Sequence, residues 1–242
     1  MVGQILRARL DPAQRYGLRL TLFVLAILLV AIPFGLLLRE VTSEGRLTEI
    51  DTIAANELHE EVRDSPGLVT ALKAISFLGS PVWFYVLIPA ASYYMWKRGH
   101  LRLALFLVVT TLLGGVIDTI VKEIVARPRP SLVDPVATAH GKSFPSGHSM
   151  TAAVAYGALL LVFLPEIPRR WRLPVLAAAA LLVLAIGGTR LALGVHYITD
   201  VAGGFVLGLA WLFASTAAFS IWKVERGKGR VDVTEGLAPE EF

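Results

Sequence analysis

The chain has 242 residues, of which 55% are hydrophobic and only 17% charged, with no cysteine. Its mean hydropathy of +0.64 excludes an ordinary soluble domain and describes a membrane protein. The lack of cysteine excludes disulfides, thiolate metal sites and thiol nucleophiles, and the +4 charge does not point to nucleic acid, because the cations are scattered in short segments beside apolar runs rather than pooled on one soluble face.

Hydropathy predicts an all-α, polytopic chain with six spans, at about 17–38, 73–96, 101–121, 148–164, 174–193 and 201–222. Each is near the roughly 20 residues that cross a bilayer as a helix. Residues 1–16 form a short N-terminal segment. The apolar run that follows starts too late and runs too long for a signal peptide, with no small-residue cleavage site after it, so it is expected to remain as an anchor.

Residues 39–72 are rich in acid, and within them Ile50, Ile53, Ala54, Leu58 and Val62 recur at helical spacing. This predicts a short amphipathic helix packed over the outer ends of the spans. The second span carries Ser76, Gly79, Ser80 and Pro81 in its first half, and the fourth begins at His148. Residues 223–242 form the tail, and no repeat or second domain interrupts 1–242.

Positive charge sets the orientation. Arg7, Arg9, Arg15 and Arg19 precede or begin span one, and Lys97, Arg98 and Arg102 follow span two. Arg169, Arg170 and Arg172 follow span four, and Lys223, Arg226, Lys228 and Arg230 lie in the tail. By the positive-inside rule both termini are cytoplasmic, and the loops joining spans three to four and five to six face out. The first of these outer loops still holds Arg127, Arg129 and Lys142, which breaks the rule. A bound phosphate would account for cations on that side.

Three blocks converge there. Lys122 ends span three, and Arg127-Pro128-Arg129-Pro130 follows, each arginine restrained by the proline after it. A guanidinium can hold two phosphate oxygens, while an ammonium gives a compact point charge. Pro145-Ser146-Gly147-His148 then opens a helix. There Ser146 can act as the N-cap, the first free N–H groups face an anion, and Gly147 lets the anion approach the backbone. Last come Thr189-Arg190, His196 and Asp200. If the segment is helical, the four-residue spacing of His196 and Asp200 puts them on one face, where the carboxylate can hold one ring nitrogen and leave the other nucleophilic. Asp118, four residues before Lys122, is expected to pair with it, since an acid inside a membrane span is costly alone.

Lys-x6-Arg-Pro, then Pro-Ser-Gly-His, then (Ser/Thr)-Arg-x5-His-x3-Asp, in this order, resembles the type 2 phosphatidic-acid phosphatase superfamily of membrane lipid phosphatases. The likeness to its bacterial members, of the phosphatidylglycerophosphatase B and undecaprenyl pyrophosphate phosphatase type, runs from Lys122 to Asp200. It selects Arg129 over Arg127 and implies a six-helix bundle with the site at its outer face.

By the same resemblance His196 is the nucleophile that forms a phosphohistidine, Asp200 orients it, and His148 is the acid and then the base. Lys122, Arg129, Ser146, Gly147 and Arg190 would bind the phosphoryl oxygens, with no metal ion and no other cofactor. Thr189 stands where a serine is often found and keeps the hydroxyl. The implied substrates are undecaprenyl pyrophosphate, phosphatidylglycerol phosphate or phosphatidic acid in the plasma membrane, with the lipid chain entering between helices. A lipid phosphotransferase would use the same residues. A non-catalytic lipid-binding or transport protein would have no need of both histidines, and the six spans argue against the soluble vanadate-dependent haloperoxidases of the superfamily.

Overall fold

The computed structural model describes residues 32–43 and 45–225. The predicted segment 1–16, most of the first predicted span and the tail beyond 225 lie outside those residues. Within them every regular element is a helix: α1 over 32–42, α2 (Arg46–Arg63), α3 (Pro66–Phe77), α4 (Pro81–Lys97), α5 (Leu101–Val125), α6 (Gly147–Phe163), a 3₁₀ turn (Leu164–Glu166), α7 (Arg169–Ala192) and α8 (Ile198–Glu225).

Five stretches of the described residues are long and apolar enough to cross a membrane: Pro66–Lys97, Leu101–Val125, Gly147–Glu166, Arg169–Ala192 and Ile198–Phe219. At 1.5 Å per residue the 25 residues of α5 reach about 37 Å, more than the roughly 30 Å of a hydrocarbon core. The last four stretches correspond to predicted spans three to six, within a few residues at each boundary.

The second predicted span is divided. α3 stops at Phe77 and α4 starts at Pro81, with Leu78–Ser80 as an elbow between them. The residues that interrupt the apolar run make the break: Ser80 is the N-cap of α4, its hydroxyl accepting the Trp83 N–H at 3.2 Å, and Pro81 occupies the first turn, where a missing N–H costs nothing.

The helices pack through small residues and present large ones outward. Leu112, Leu181 and Phe213 are 59%, 67% and 60% exposed, whereas Ala152, Ala155 and Ala158 are fully buried. A bilayer provides no hydrophobic drive between helices, so close backbone approach takes its place. α6 and α8 show it most clearly. A Cβ on Gly204 would lie 2.6 Å from the Ser146 carbonyl, and one on Gly208 would lie 2.9 Å from the Met150 carbonyl. Both obstacles are backbone, which has no rotamer with which to yield.

α2 forms where the amphipathic helix is expected, but its buried face is rotated from the expected stripe, sharing Val62 and leaving Ala54 and Leu58 half-buried. Asp51, Ala55, His59 and Val62 point inward, while Ile50 and Ile53 of the predicted stripe are exposed. The helix packs on α3, α7 and α8. His59 Nε2 donates to the Val133 carbonyl at 2.7 Å, which ties α2 to the loop between α5 and α6.

Candidate active site

Alternating chain direction brings the C-terminal ends of α5 and α7 together with the N-terminal ends of α6 and α8. α5 delivers Lys122, whose ammonium lies 2.6 Å from each oxygen of Asp118 and 2.6 Å from the Pro145 carbonyl. The expected Asp118–Lys122 pair is therefore present, and the same lysine grips the start of α6. Gly147 allows this approach: a Cβ there would sit 3.0 Å from Asp118 Oδ2 and 3.3 Å from Lys122 Nζ.

Ser146 occupies the N-cap position of α6, but its hydroxyl makes no capping bond. It accepts from Ser149 Oγ at 3.1 Å and is wholly buried, which leaves Gly147 as the member of the pair that lines the cavity. Thr189 likewise turns back, donating to the Ile186 carbonyl at 2.6 Å.

The His196–Asp200 pair forms through Nδ1 and Oδ2 at 3.3 Å, but not on one helical face: Asp200 is in the first turn of α8, and His196 lies in the bend before it. Asp200 Oδ2 also accepts the Tyr197 N–H at 2.9 Å, as a third-turn-position acid does in a capping box, and a hydroxyl bond from Ser143. With Nδ1 protonated toward the carboxylate, Nε2 keeps its lone pair and accepts from Arg129 Nη1 at 3.1 Å. Arg129 donates as well to the carbonyls of Val195 (2.8 Å), Gly141 (3.1 Å) and His140 (3.1 Å), which pins the α5–α6 loop beside the histidine.

The two arginines of the Arg-Pro-Arg-Pro run take different work. Arg129 faces the cavity, whereas Arg127 is buried behind it, with Nη1 2.7 Å from Asp200 Oδ1 and Nη2 2.9 Å from Asp51 Oδ2. Burial alone would lower the Arg127 guanidinium pKa, but Asp200 and Asp51 outweigh it and raise it. Arg190 donates from Nη1 to Ser76 Oγ at 2.6 Å, and its buried Nε has no hydrogen-bond partner among the described residues.

Lys122, Arg129, Gly147, His148, Arg190 and His196 line one cavity of about 830 Å³. Asp200 stands behind His196 and Ser146 behind Gly147. From this polar end the cavity continues between α4 and α5 past Phe84, Ile88, Val108, Leu112 and Val116. The flank opens sideways, since Tyr85 and Leu112 line it and are also 71% and 59% exposed. Sequence reasoning missed Ser143 and Ser76, which hold Asp200 and Arg190.

Long apolar helices enclosing a polar pocket at one end make this a multi-pass membrane protein. Its family follows from residues 103–223, half of the chain, which match the PAP2 superfamily: the chain belongs to it. It is 33% identical over 153 residues to phosphatidylglycerophosphatase B of Bacillus subtilis, covering 61% of this chain and 73% of that one. To decaprenylphosphoryl-5-phosphoribose phosphatase of Mycolicibacterium smegmatis it is 34% identical over 142 residues, with 57% and 72% covered. The crystal structure of a transmembrane PAP2-type phosphatidylglycerolphosphate phosphatase from Bacillus subtilis superposes with a TM-score of 0.72 at 25% identity, covering 84% of this chain and 97% of that one.

Burial pushes the His196 imidazole down to about 4, against the pull of the Asp200 carboxylate. A group that charges at about pH 6.5 in an unfolded chain is then still neutral here one unit lower. In ¹⁵N-histidine-labelled protein, the imidazole signal that disappears in His196→Gln is expected to be that of a neutral ring at pH 5.5. A protonation midpoint near 6.5 would contradict this.

Proposed function

We propose that this protein hydrolyses a phosphomonoester or pyrophosphate of a membrane lipid through a phosphohistidine on His196. The observation that carries the reading is the orientation of His196, with Nδ1 on Asp200 and Nε2 turned to the cation-lined cavity. The lone pair of Nε2 attacks phosphorus when Arg129 transfers its donors to the phosphoryl oxygens. A P–N bond forms as the P–O bond to the lipid breaks, and His148, which lines the same cavity, protonates the departing oxygen. His148 then takes a proton from water, which attacks the phosphohistidine; inorganic phosphate leaves and His196 is regenerated.

Charge on the phosphoryl group is balanced by Lys122, Arg129 and Arg190, together with the first N–H groups of α6 beside Gly147. The Arg190 Nε, buried at the cavity with no hydrogen-bond partner among the described residues, is a donor suited to an oxyanion. Three cations directed at one point disfavour a divalent metal there, so the reaction is read as metal-independent. The relatives' names include a phosphatidylglycerophosphatase and a decaprenylphosphoryl-5-phosphoribose phosphatase; the first favours phosphatidylglycerol phosphate among the substrates considered, with undecaprenyl pyrophosphate and phosphatidic acid as the other two.

Detergent-purified protein in EDTA is expected to release phosphate from at least one of these three lipids, and His196→Ala to reduce turnover by on the order of 10⁴-fold. Near-normal turnover in His196→Ala would remove the nucleophile assignment. Transfer to a second lipid in place of free phosphate would favour the phosphotransferase reading.

The apolar flank between α4 and α5 is read as the seat of the lipid chain. Gly115 lines it, and a Cβ there meets nothing within 4 Å. Gly115→Phe is expected to slow hydrolysis of long-chain substrates about tenfold while a short-chain soluble phosphomonoester is cleaved within about twofold of the original rate, since a bulky ring fills only the apolar part of the cavity. Equal loss on both would place the chain elsewhere.

The site is read as extracytoplasmic and both termini as cytoplasmic. Lys97, Arg98, Arg169, Arg170 and Arg172 lie at the end of the helices opposite the cavity, as inside residues should. Protease added to intact cells is expected to leave a tag after Phe242 uncut, and cleavage would invert the orientation.

A further inference from the structure

Asp51 lies on α2, outside the residues that match the family, yet it reaches the site's support. It is 1% exposed, and its carboxylate accepts hydrogen bonds from Thr199, in the first turn of α8, and from Arg127. Its Oδ1 accepts the backbone N–H of Thr199 at 3.1 Å. Its Oδ2 accepts the Thr199 hydroxyl and Arg127 Nη2, the latter at 2.9 Å. The other arm of Arg127, Nη1, reaches Thr199 Oγ1 and Asp200 Oδ1, each at 2.7 Å. The guanidinium also lies over the Tyr197 ring, 4.1 Å from its centroid.

One guanidinium is therefore shared by two buried carboxylates, and the second of them is the hydrogen-bond partner of His196. We propose that Asp51 is a positioning residue for His196, acting through Arg127 and Thr199 on Asp200. This rests on the phosphohistidine reading above.

The argument is one of charge and aim. With Asp51 present, Arg127 divides its charge between two acids, and Asp200 remains a strong acceptor for the imidazole Nδ1–H. That hydrogen bond strengthens as the ring gains positive charge on bonding phosphorus. Without the Asp51 carboxylate, Arg127 pairs with Asp200 alone and draws its negative charge away from the ring. The Asp51 side chain also accepts a free N–H, that of Thr199, in the first turn of α8, the turn that sets the direction of the Asp200 side chain. Asp51 touches none of Lys122, Arg129 and Arg190, so the grip on phosphate should be untouched.

The test uses full-length Asp51→Asn, nearly the same shape without the charge, with phosphate release expressed per orthovanadate-binding site so that unfolded protein is not counted. We expect kcat per site to fall about 10- to 100-fold, as loss of an outer hydrogen-bond partner commonly does, while KM and the vanadate Kd stay within about threefold. Thr199→Val, which keeps the shape and removes the linking hydroxyl, is expected to shift kcat in the same direction and carries the test if the asparagine variant does not fold. A kcat per site within twofold of the unsubstituted protein overturns the proposal. So does a loss that appears only as fewer vanadate sites, which is what a purely structural aspartate would give. Release that survives His196→Ala overturns the phosphohistidine reading and this inference with it, whereas release abolished by His196→Ala but undiminished in Asp51→Asn and Thr199→Val overturns this inference alone.

Discussion

A carboxylate with no exposure at the head of a membrane helix is the constraint around which this end of the protein is arranged. Asp200 is wholly removed from water, and an uncompensated charge in such a place costs several kcal/mol. Compensation comes from three separate parts of the chain: the Arg127 guanidinium from the α5–α6 loop, the Ser143 hydroxyl from the return of that loop, and the Tyr197 N–H from its own turn. Each of these bonds also fixes a segment that carries cavity residues, Arg129 on one side and His196 on the other. The requirement to satisfy one anion thus organises the pocket.

A second requirement is close approach. The loop's return is held by Ser143 N–H on the Arg127 carbonyl at 2.8 Å and by Ser146 N–H on the Asp200 carbonyl at 2.9 Å. The second bond is available because Gly204 lets α8 lie directly against the Ser146 backbone. Gly208 does the same against the Met150 carbonyl, while Gly147 leaves room for the Asp118 and Lys122 side chains. Glycine is costly within a helix in water, but here it exchanges side-chain volume for backbone contact, which is the interaction a bilayer leaves available.

Much of this was legible in the sequence, and the remainder was hidden for identifiable reasons. Apolar length located α5 to α8 within a few residues, and the Gly79-Ser80-Pro81 interruption in the second span marks the elbow. The i to i+4 spacing of Asp118–Lys122 gave a contact that exists, and the His196–Asp200 contact exists as well, although His196 stands in the turn before α8 and not on its face. The buried face of α2 was not legible, because periodicity identifies an apolar stripe without saying whether lipid or protein covers it. Ile50 and Ile53 are exposed while Asp51 and His59 go inside. Nor could spacing connect Ser76 to Arg190, 114 residues apart, or show that the Ser146 hydroxyl would be engaged by Ser149. Such bonds depend on which helices become neighbours, which local pattern does not encode.

On the proposed reading, the sideways gap between α4 and α5 changes the meaning of concentration for this protein. A molecule that reaches the polar pocket through that gap travels within the plane of the bilayer, and what matters is its mole fraction among the surrounding lipids rather than its molarity in the bulk. Every neighbouring lipid whose chain fits between Tyr85 and Leu112 then competes for the same opening, even without a phosphate to offer. Adding inert lipid or detergent at constant substrate would slow the protein by surface dilution, with no change in any of its side chains.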